Sequence, residues 1–392
     1  MAKKEKSETI DKNNETDFSP ELISALNKEF GARVAYNLNH DESPTHVKRW
    51  ISMNCRLLDY AIANRRNGGV PEGRIIEIYG PPAIGKSHLA FSMARTVQQM
   101  GGLVVYIDTE NAVPVERLAD MGIDVSKRFV YADSHMTEDV FKIMESTIIK
   151  AKAVIGKNIP ILIVWDSVAA TSPKAELEGD YDQNTMGLQA RVISKGMRKI
   201  TGVIGQNNVT LVCLNQTRSK IGIVMGDPTT TPGGAAIPFH ASVRIALTGG
   251  SNIKNKDGNV VGINVHATIK KNKVAPPQRY VEFAIMFGRG LDESESLFDL
   301  LRTTCEKSED GCIKREDKNL SYLIEGTGAW KTFKVWPSND AKNVLVEKKF
   351  NKSDFGELLS SKEYGAYLED MIEQVLVVNT KILSDDESDA AE

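Results

Sequence analysis

Five short apolar runs punctuate the middle of the chain: IIEIY (75–79), LVVYI (103–107), RFVYA (128–132), ILIVW (161–165) and VTLVCL (209–214). Each has the length of a buried strand and is too short for a three-turn helix. Between them apolar residues recur at helical spacing over 87–100, 114–121, 137–155 and 187–204. In the last of these Leu188, Val192, Ile193, Met197, Ile200 and Ile204 share one face. Alternation of fully apolar strands with amphipathic helices predicts an α/β core, a mostly parallel sheet flanked by helices.

The pattern changes on both sides of this core. Upstream, Leu22, Leu26, Phe30 and Val34 recur every four residues within 20–34 and predict one amphipathic helix, and VKRWISMNCRLLDYAIA (47–63) reads as a second helical approach ending at Gly68-Gly69. After Gly234 the pattern is one of consecutive strands without helices, at 240–247, 261–271 and 279–286 with a turn at Asp257-Gly258, which predicts an antiparallel extension of the same sheet. From Ser296 a small C-terminal α+β domain follows, with a charged, insert-like stretch at 303–319 and a helix-rich end at 354–380. The divisions expected are a disordered arm (1–17), an N-terminal helical region (18–44), the core (45–295), the small domain (296–383) and an acidic tail (384–392). No fixed-period repeat is present.

Composition narrows the class without naming a function. The 392 residues carry 49 Lys+Arg and 52 Asp+Glu, and 41% are apolar, enough for a large core. Five acids in the last eight residues supply the net −3, and without them the balance is 49 − 47 = +2, so a polyanionic partner is compatible with the rest of the chain. No apolar run approaches the roughly 18 residues of a membrane span, and the charged N-terminus is unlike a signal peptide, so a cytoplasmic protein without a membrane partner is expected. The four scattered cysteines point to reduced thiols, and Cys305 and Cys312 lack the spacing of a zinc knuckle.

The chemistry is concentrated at strand ends. Gly80-Pro81-Pro82-Ala83-Ile84-Gly85-Lys86-Ser87 fits the phosphate-loop pattern G-x-x-x-x-G-K-[ST], directly after a strand and running through His88 into a helix. Backbone N–H groups freed by the glycines would surround the phosphates of a nucleotide, Lys86 would reach the β and γ oxygens, and Ser87 would offer a ligand to Mg²⁺. Asp166 ends the strand ILIVW, where a second acid supports the metal; taken alone it would be a strand cap. Glu110, just past LVVYI, is placed to orient the attacking water, although a loop glutamate is ordinarily only solvated. The strand VTLVCL ends in Asn215-Gln216 and opens into about 20 residues rich in Gly, Thr and Pro with cations Arg218 and Lys220; so long a loop at a sheet edge points to function. A second loop, 174–187, is acidic and on charge alone would be solvated. Lys271 and Lys273, on an alternating strand, would by themselves be a solvated face.

Three blocks carry a resemblance: WDSVAATSPKAELEGDYDQNTMGLQARVISKGMRK (165–199), LNQTRSKIGIVMGDPTTTPGGAAIPFHASVR (214–244) and KKNKVAPP (270–277). In order and spacing they resemble the bacterial RecA recombinases, strongly over residues 45–290 and weakly over 327–380. The resemblance implies a DNA-dependent ATPase that forms a helical filament of its own copies on single-stranded DNA and pairs it with homologous duplex, assisted by single-strand-binding and loader proteins, in a bacterial or phage-infected cell. It places Glu110 as the glutamate that activates water and Gln216 as the sensor of the γ-phosphate. It also places Met186, Arg191, Arg198 and Lys199 at or behind the first DNA loop, and Arg218, Lys220, Ile221, Gly233 and Gly234 in the second. Lys271 and Lys273 become cations that reach a neighbour's nucleotide across the filament interface, and the N-terminal helix packs on a neighbouring subunit. Arg117 stands where the family has a base-stacking Tyr, and Phe287, Pro232 and Pro238 are further departures. A ring-forming motor of the same fold, a helicase or branch-migration ATPase, is the main alternative, and a filament that only protects single strands is another.

Overall fold

The computed structural model describes residues 18–38, 45–156, 158–180, 185, 187–219 and 229–378. The arm 1–17, the tail 384–392, Met186, Lys220 and Ile221 therefore lie outside the described residues. The chain divides into two units, up to Val47 and from Lys48 onward. In the first, α1 (Ser19–Glu29) covers only part of the expected stripe. It stops because Gly31 takes φ +59° and the Asn27 carboxamide oxygen accepts from the Val34 and Ala35 N–H groups, which turns the chain. Val34 therefore sits in a loop.

The second unit is built on a nine-stranded sheet. Strands β1 (Ile75–Gly80), β2 (Leu103–Asp108), β3 (Phe129–Asp133), β4 (Ile161–Asp166) and β5 (Val209–Gln216) are the five apolar runs, and β6 (Val243–Lys254), β7 (Val260–Asn272), β8 (Tyr280–Met286) and β9 (Gly290–Asp292) extend them. The order across the sheet is β9-β8-β7-β6-β1-β5-β4-β2-β3. Neighbours from β6 to β3 are parallel, and β6 through β9 run antiparallel, as the pattern predicts. One detail differs: a short helix covers Ala236–His240, so β6 starts at Val243 rather than at residue 240.

Both faces are covered because successive strand residues point opposite ways. On one face Ile107, Ile163, Trp165 and Leu211 meet Phe141, Met144 and Ile148 of α2 (Thr137–Ile155) and Ile193, Met197 and Ile200 of α3 (Leu188–Asn207). On the other, Ile78, Tyr106, Val164 and Leu214 meet Leu89, Phe91 and Met93 of the helix Lys86–Gln99.

Residues 47–63 are not one helix. Trp50–Ile51 is extended, and the helix spans only Arg56–Ala63. The buried Asp59 carboxylate accepts from Ser52 Oγ and from the Met53 N–H, and Asn54 adopts φ +55°; together they hold a turn where a continuous helix would have run. The charged stretch 303–319 is structured: it holds the end of the helix Ser294–Lys307 and the strand Ile313–Arg315, first of a four-stranded antiparallel sheet. Arg315 pairs with Asp370 and Glu373 of the C-terminal helix, and Phe298 packs edge-on against Phe355 at 5.4 Å. Arg279 binds the carbonyls of Tyr60 and Leu376, which ties this region to the core. All four cysteines are free and buried.

Candidate functional site

The loop 80–87 leaves the C-terminal edge of β1, where ligands of open parallel sheets collect. Space demands the first of its glycines and backbone conformation the second. A Cβ on Gly80 would lie 2.5 Å from the Leu247 carbonyl oxygen, and one on Gly85, at φ +98°, 2.1 Å from Ile285 Cδ1. Lys86 curls back and donates to the Gly80 and Pro81 carbonyls at 3.1 and 2.6 Å, and burial pulls its ammonium below the usual lysine range. The Lys86–Gln99 helix starts at the loop, so its N-terminal N–H groups and dipole face the same space.

Acids from the neighbouring strands converge there. Asp166 Oδ2 accepts from Ser87 Oγ at 2.8 Å and from Tyr106 Oη at 2.5 Å, and burial raises its carboxyl above the ordinary carboxylate range. A hydroxyl and a carboxylate oxygen side by side are hard donors that fit Mg²⁺, with room left for water and phosphate oxygens in its shell. Glu110 Oε1 accepts from Ser167 Oγ at 2.5 Å, across the cis peptide that joins Asp166 to Ser167. Thr109 locks this corner by bonding both the N–H and the carbonyl of Ser167. Asp108 accepts from the N–H groups of Glu110, Ala112 and Val113 and so shapes the loop that presents Glu110. Arg117 donates to His88 Nδ1 at 2.9 Å and lies over the Phe91 ring; burial, then the Arg117 charge, pulls the His88 imidazole down to about 4, so it is neutral at neutral pH.

The two expected DNA loops also meet. A cleft of about 370 Å³ is lined by Glu176, Gln189, Arg218, Pro232, Gly233 and Gly234, among others. The Gly233–Gly234 turn, at φ +88° and +72°, packs on Ile193 and Ala190 of α3. Arg191, Arg198 and Lys199 are all exposed on α3, and Lys199 pairs with Glu145 of α2 at 3.0 Å.

Lys271 and Lys273 are not brought to the phosphate loop of their own chain. Lys271 stands in register with Arg244, itself opposite Glu77, so the pair lies towards the N-terminal edge of the parallel strands whereas the loop leaves the C-terminal edge. The Lys271 ammonium caps the carbonyls of Pro238 and Phe239. Gln216 ends β5 beside Gly80, and the next residue, Thr217, donates its N–H to the Gly80 carbonyl at 3.2 Å.

Ser167, Tyr106 and Asp108 were not singled out from the sequence. Tyr106 reads as one more core residue of an apolar run, and Ser167 acquires its partner only when β2 and β4 align Asp108 with Asp166.

Fold and loop together define an α/β protein of the phosphate-loop class. The RecA N-terminal domain family matches residues 20–292. The chain is 37% identical over 331 residues to Protein RecA of Arthrospira platensis, covering 84% of this chain and 85% of that one. To Protein RecA of Bacteroides thetaiotaomicron it is 42% identical over 255 residues, 65% and 73% of the two chains, and to that of Leptospira meyeri 38% over 302 residues, 76% and 74%. The chain belongs to the RecA family, and it is a DNA recombinase and, in general terms, a DNA-dependent ATPase. Among the described residues no helix is long and apolar enough to cross a membrane.

Proposed function

We propose that the chain binds ATP with Mg²⁺ at residues 80–88 and Asp166, assembles as a helical filament on single-stranded DNA, and pairs that strand with homologous duplex. The observation that carries this is the convergence of Lys86, Ser87, Asp166 and Glu110 at one strand edge, beside a loop that starts at Gln216 and returns at Gly233. Lys86 neutralises β- and γ-phosphate charge, and Ser87 and Asp166 hold the metal. When bound, Mg²⁺ supplies further charge neutralisation to the leaving phosphates. Glu110 accepts the proton of the attacking water and Ser167 orients its carboxylate. Arg117, held by His88 and Phe91, lies on the base side, and Gln216 senses the γ-phosphate. Arg191, Arg198, Lys199, Arg218, Gly233 and Gly234 form the described part of the DNA surface, continued by Met186, Lys220 and Ile221 outside it. Lys271 and Lys273 serve the nucleotide of the next subunit, for which their place at the opposite strand edge suits them. Domain divisions at 18, 45, 296 and 384, single-strand-binding and loader partners, and a cytoplasmic site of action complete the proposal.

ATP hydrolysis stimulated by single-stranded DNA, together with joint formation that requires homology, tests it. Hydrolysis unaffected by single-stranded DNA, or joints that form without homology, would overturn it.

A further inference from the structure

A cavity of about 530 Å³ opens where three elements meet: the turn before the helix Arg56–Ala63, the end of the helix Lys86–Gln99, and the C-terminal helix Gly365–Leu376. That is the size of a small-molecule site. Its walls include Trp50, Arg56, Asp59, Tyr60, Met100 and Glu369, none of which serves the nucleotide or DNA reading above.

The cavity is short of positive charge. The buried Asp59 carboxylate is bonded to Ser52 Oγ and the Met53 N–H. Glu293, also buried, accepts from the Leu57 N–H at 2.9 Å and from Arg56 at 3.2 Å, and Glu369 accepts from Arg56 Nε at 2.5 Å. Three carboxylates thus gather about one guanidinium. Burial, with the Glu293 charge behind it, pushes the Asp59 carboxyl up to about 7 despite the Met53 and Ser52 bonds and the charge of Arg56. The Cys55 thiol, buried beside Glu293, is raised as well and stays neutral.

A second observation points to a ligand. Tyr60 is 3% exposed, and its hydroxyl has no hydrogen-bond partner among the described residues. Burial, then the Glu369 charge, raises its phenol, which places the hydroxyl beside that carboxylate in the cavity wall. A buried hydroxyl left without a partner costs free energy that an incoming donor would recover. The Arg65 guanidinium lies over the Trp50 ring at 5.9 Å, so the indole already serves as a face for a cation. Among the described residues no group of three His, Cys, Asp or Glu side chains is set to hold a metal ion, which favours an organic cation over an inorganic one. A protonated amine on a short alkyl chain meets every feature: its nitrogen donates to the carboxylates and to Tyr60 Oη, and its chain lies along Trp50 and Met100.

We propose that this cavity is a binding site for a small organic cation of the alkyl diamine class, its two ends held by Asp59 and Glu369 against Trp50. Occupancy ties the C-terminal helix to the far end of the helix that begins at the phosphate loop.

The probe is 1,4-diaminobutane, titrated by calorimetry into the full chain at pH 7 without DNA or nucleotide, in two buffers of different ionisation enthalpy. Saturable binding is expected, with release of roughly half a proton, because the ammonium holds Asp59 in its charged form. Asp59→Asn and Glu369→Gln should each weaken binding by roughly tenfold, and Asp59→Asn should also abolish the proton release, which a merely structural role would not explain. Should Asp59→Asn not melt cooperatively, Glu369→Gln, at a less buried position, carries the same loss of affinity. Absence of saturable binding at millimolar diamine, carboxylate variants that bind as the parent does, or displacement by Mg²⁺ at equal concentration would each overturn the proposal.

Discussion

Ser167 Oγ donates to Glu110 Oε1 at 2.5 Å, a bond between residues 57 apart that places the loop carboxylate against the end of the strand Ile161–Asp166. A glutamate so held needs no large reorganisation to accept a proton from water. Glu110→Gln should keep ATP binding and slow hydrolysis by about 10²–10⁴-fold, and Ser167→Ala should slow it less. Single-turnover hydrolysis beside nucleotide binding checks both; normal turnover by Glu110→Gln would make Glu110 a bystander.

Lys86 is the cation inside the phosphate loop, and its ammonium already bonds two loop carbonyls. Lys86→Ala should lower hydrolysis by roughly 10²–10³-fold and weaken nucleotide binding, because phosphate charge loses a preorganised donor. Steady-state turnover with a nucleotide titration measures it, and an unchanged rate would remove the loop from the mechanism.

Since Lys271 and Lys273 lie towards the opposite strand edge from the phosphate loop, a shared site requires a second subunit. Glu110→Gln and the double variant Lys271→Ala, Lys273→Ala should each be inactive. Mixed equally, about one interface in four joins an intact glutamate side to an intact lysine side, so roughly that fraction of DNA-stimulated activity should return. Co-assembly shown by labelling, with no activity above the parents, would end the trans role.

Burial raises the Asp59 carboxyl from 3.8 to about 7 in the folded chain. Between those values the folded state holds a proton that the unfolded state has released, so stability falls as pH rises from about 4 to about 7. Asp59→Asn should flatten that fall in thermal melts at pH 5 and pH 8, since Asn keeps an acceptor for the Met53 N–H and carries no charge. Equal pH slopes in both proteins would show that another group controls this range.

The α/β class, the five parallel strands and the phosphate loop were legible in the sequence because each rests on short-range pattern. A fully apolar run of five residues has few other places to go, and G-x-x-x-x-G-K-S after such a run is local geometry. Tertiary structure decided what depends on partners far along the chain. Asp59 bends residues 47–63 out of the expected helix through Ser52 and Met53, and Arg315 folds the charged 303–319 stretch against Asp370 and Glu373. Tyr106 and Ser167 enter the site only because β4 lies beside β2. The hydrogen bonds that Asn215 donates to Glu77 and to the Pro232 carbonyl exist only because β1 and β5 are neighbours in register, a pairing between residues well over a hundred apart that no local periodicity encodes.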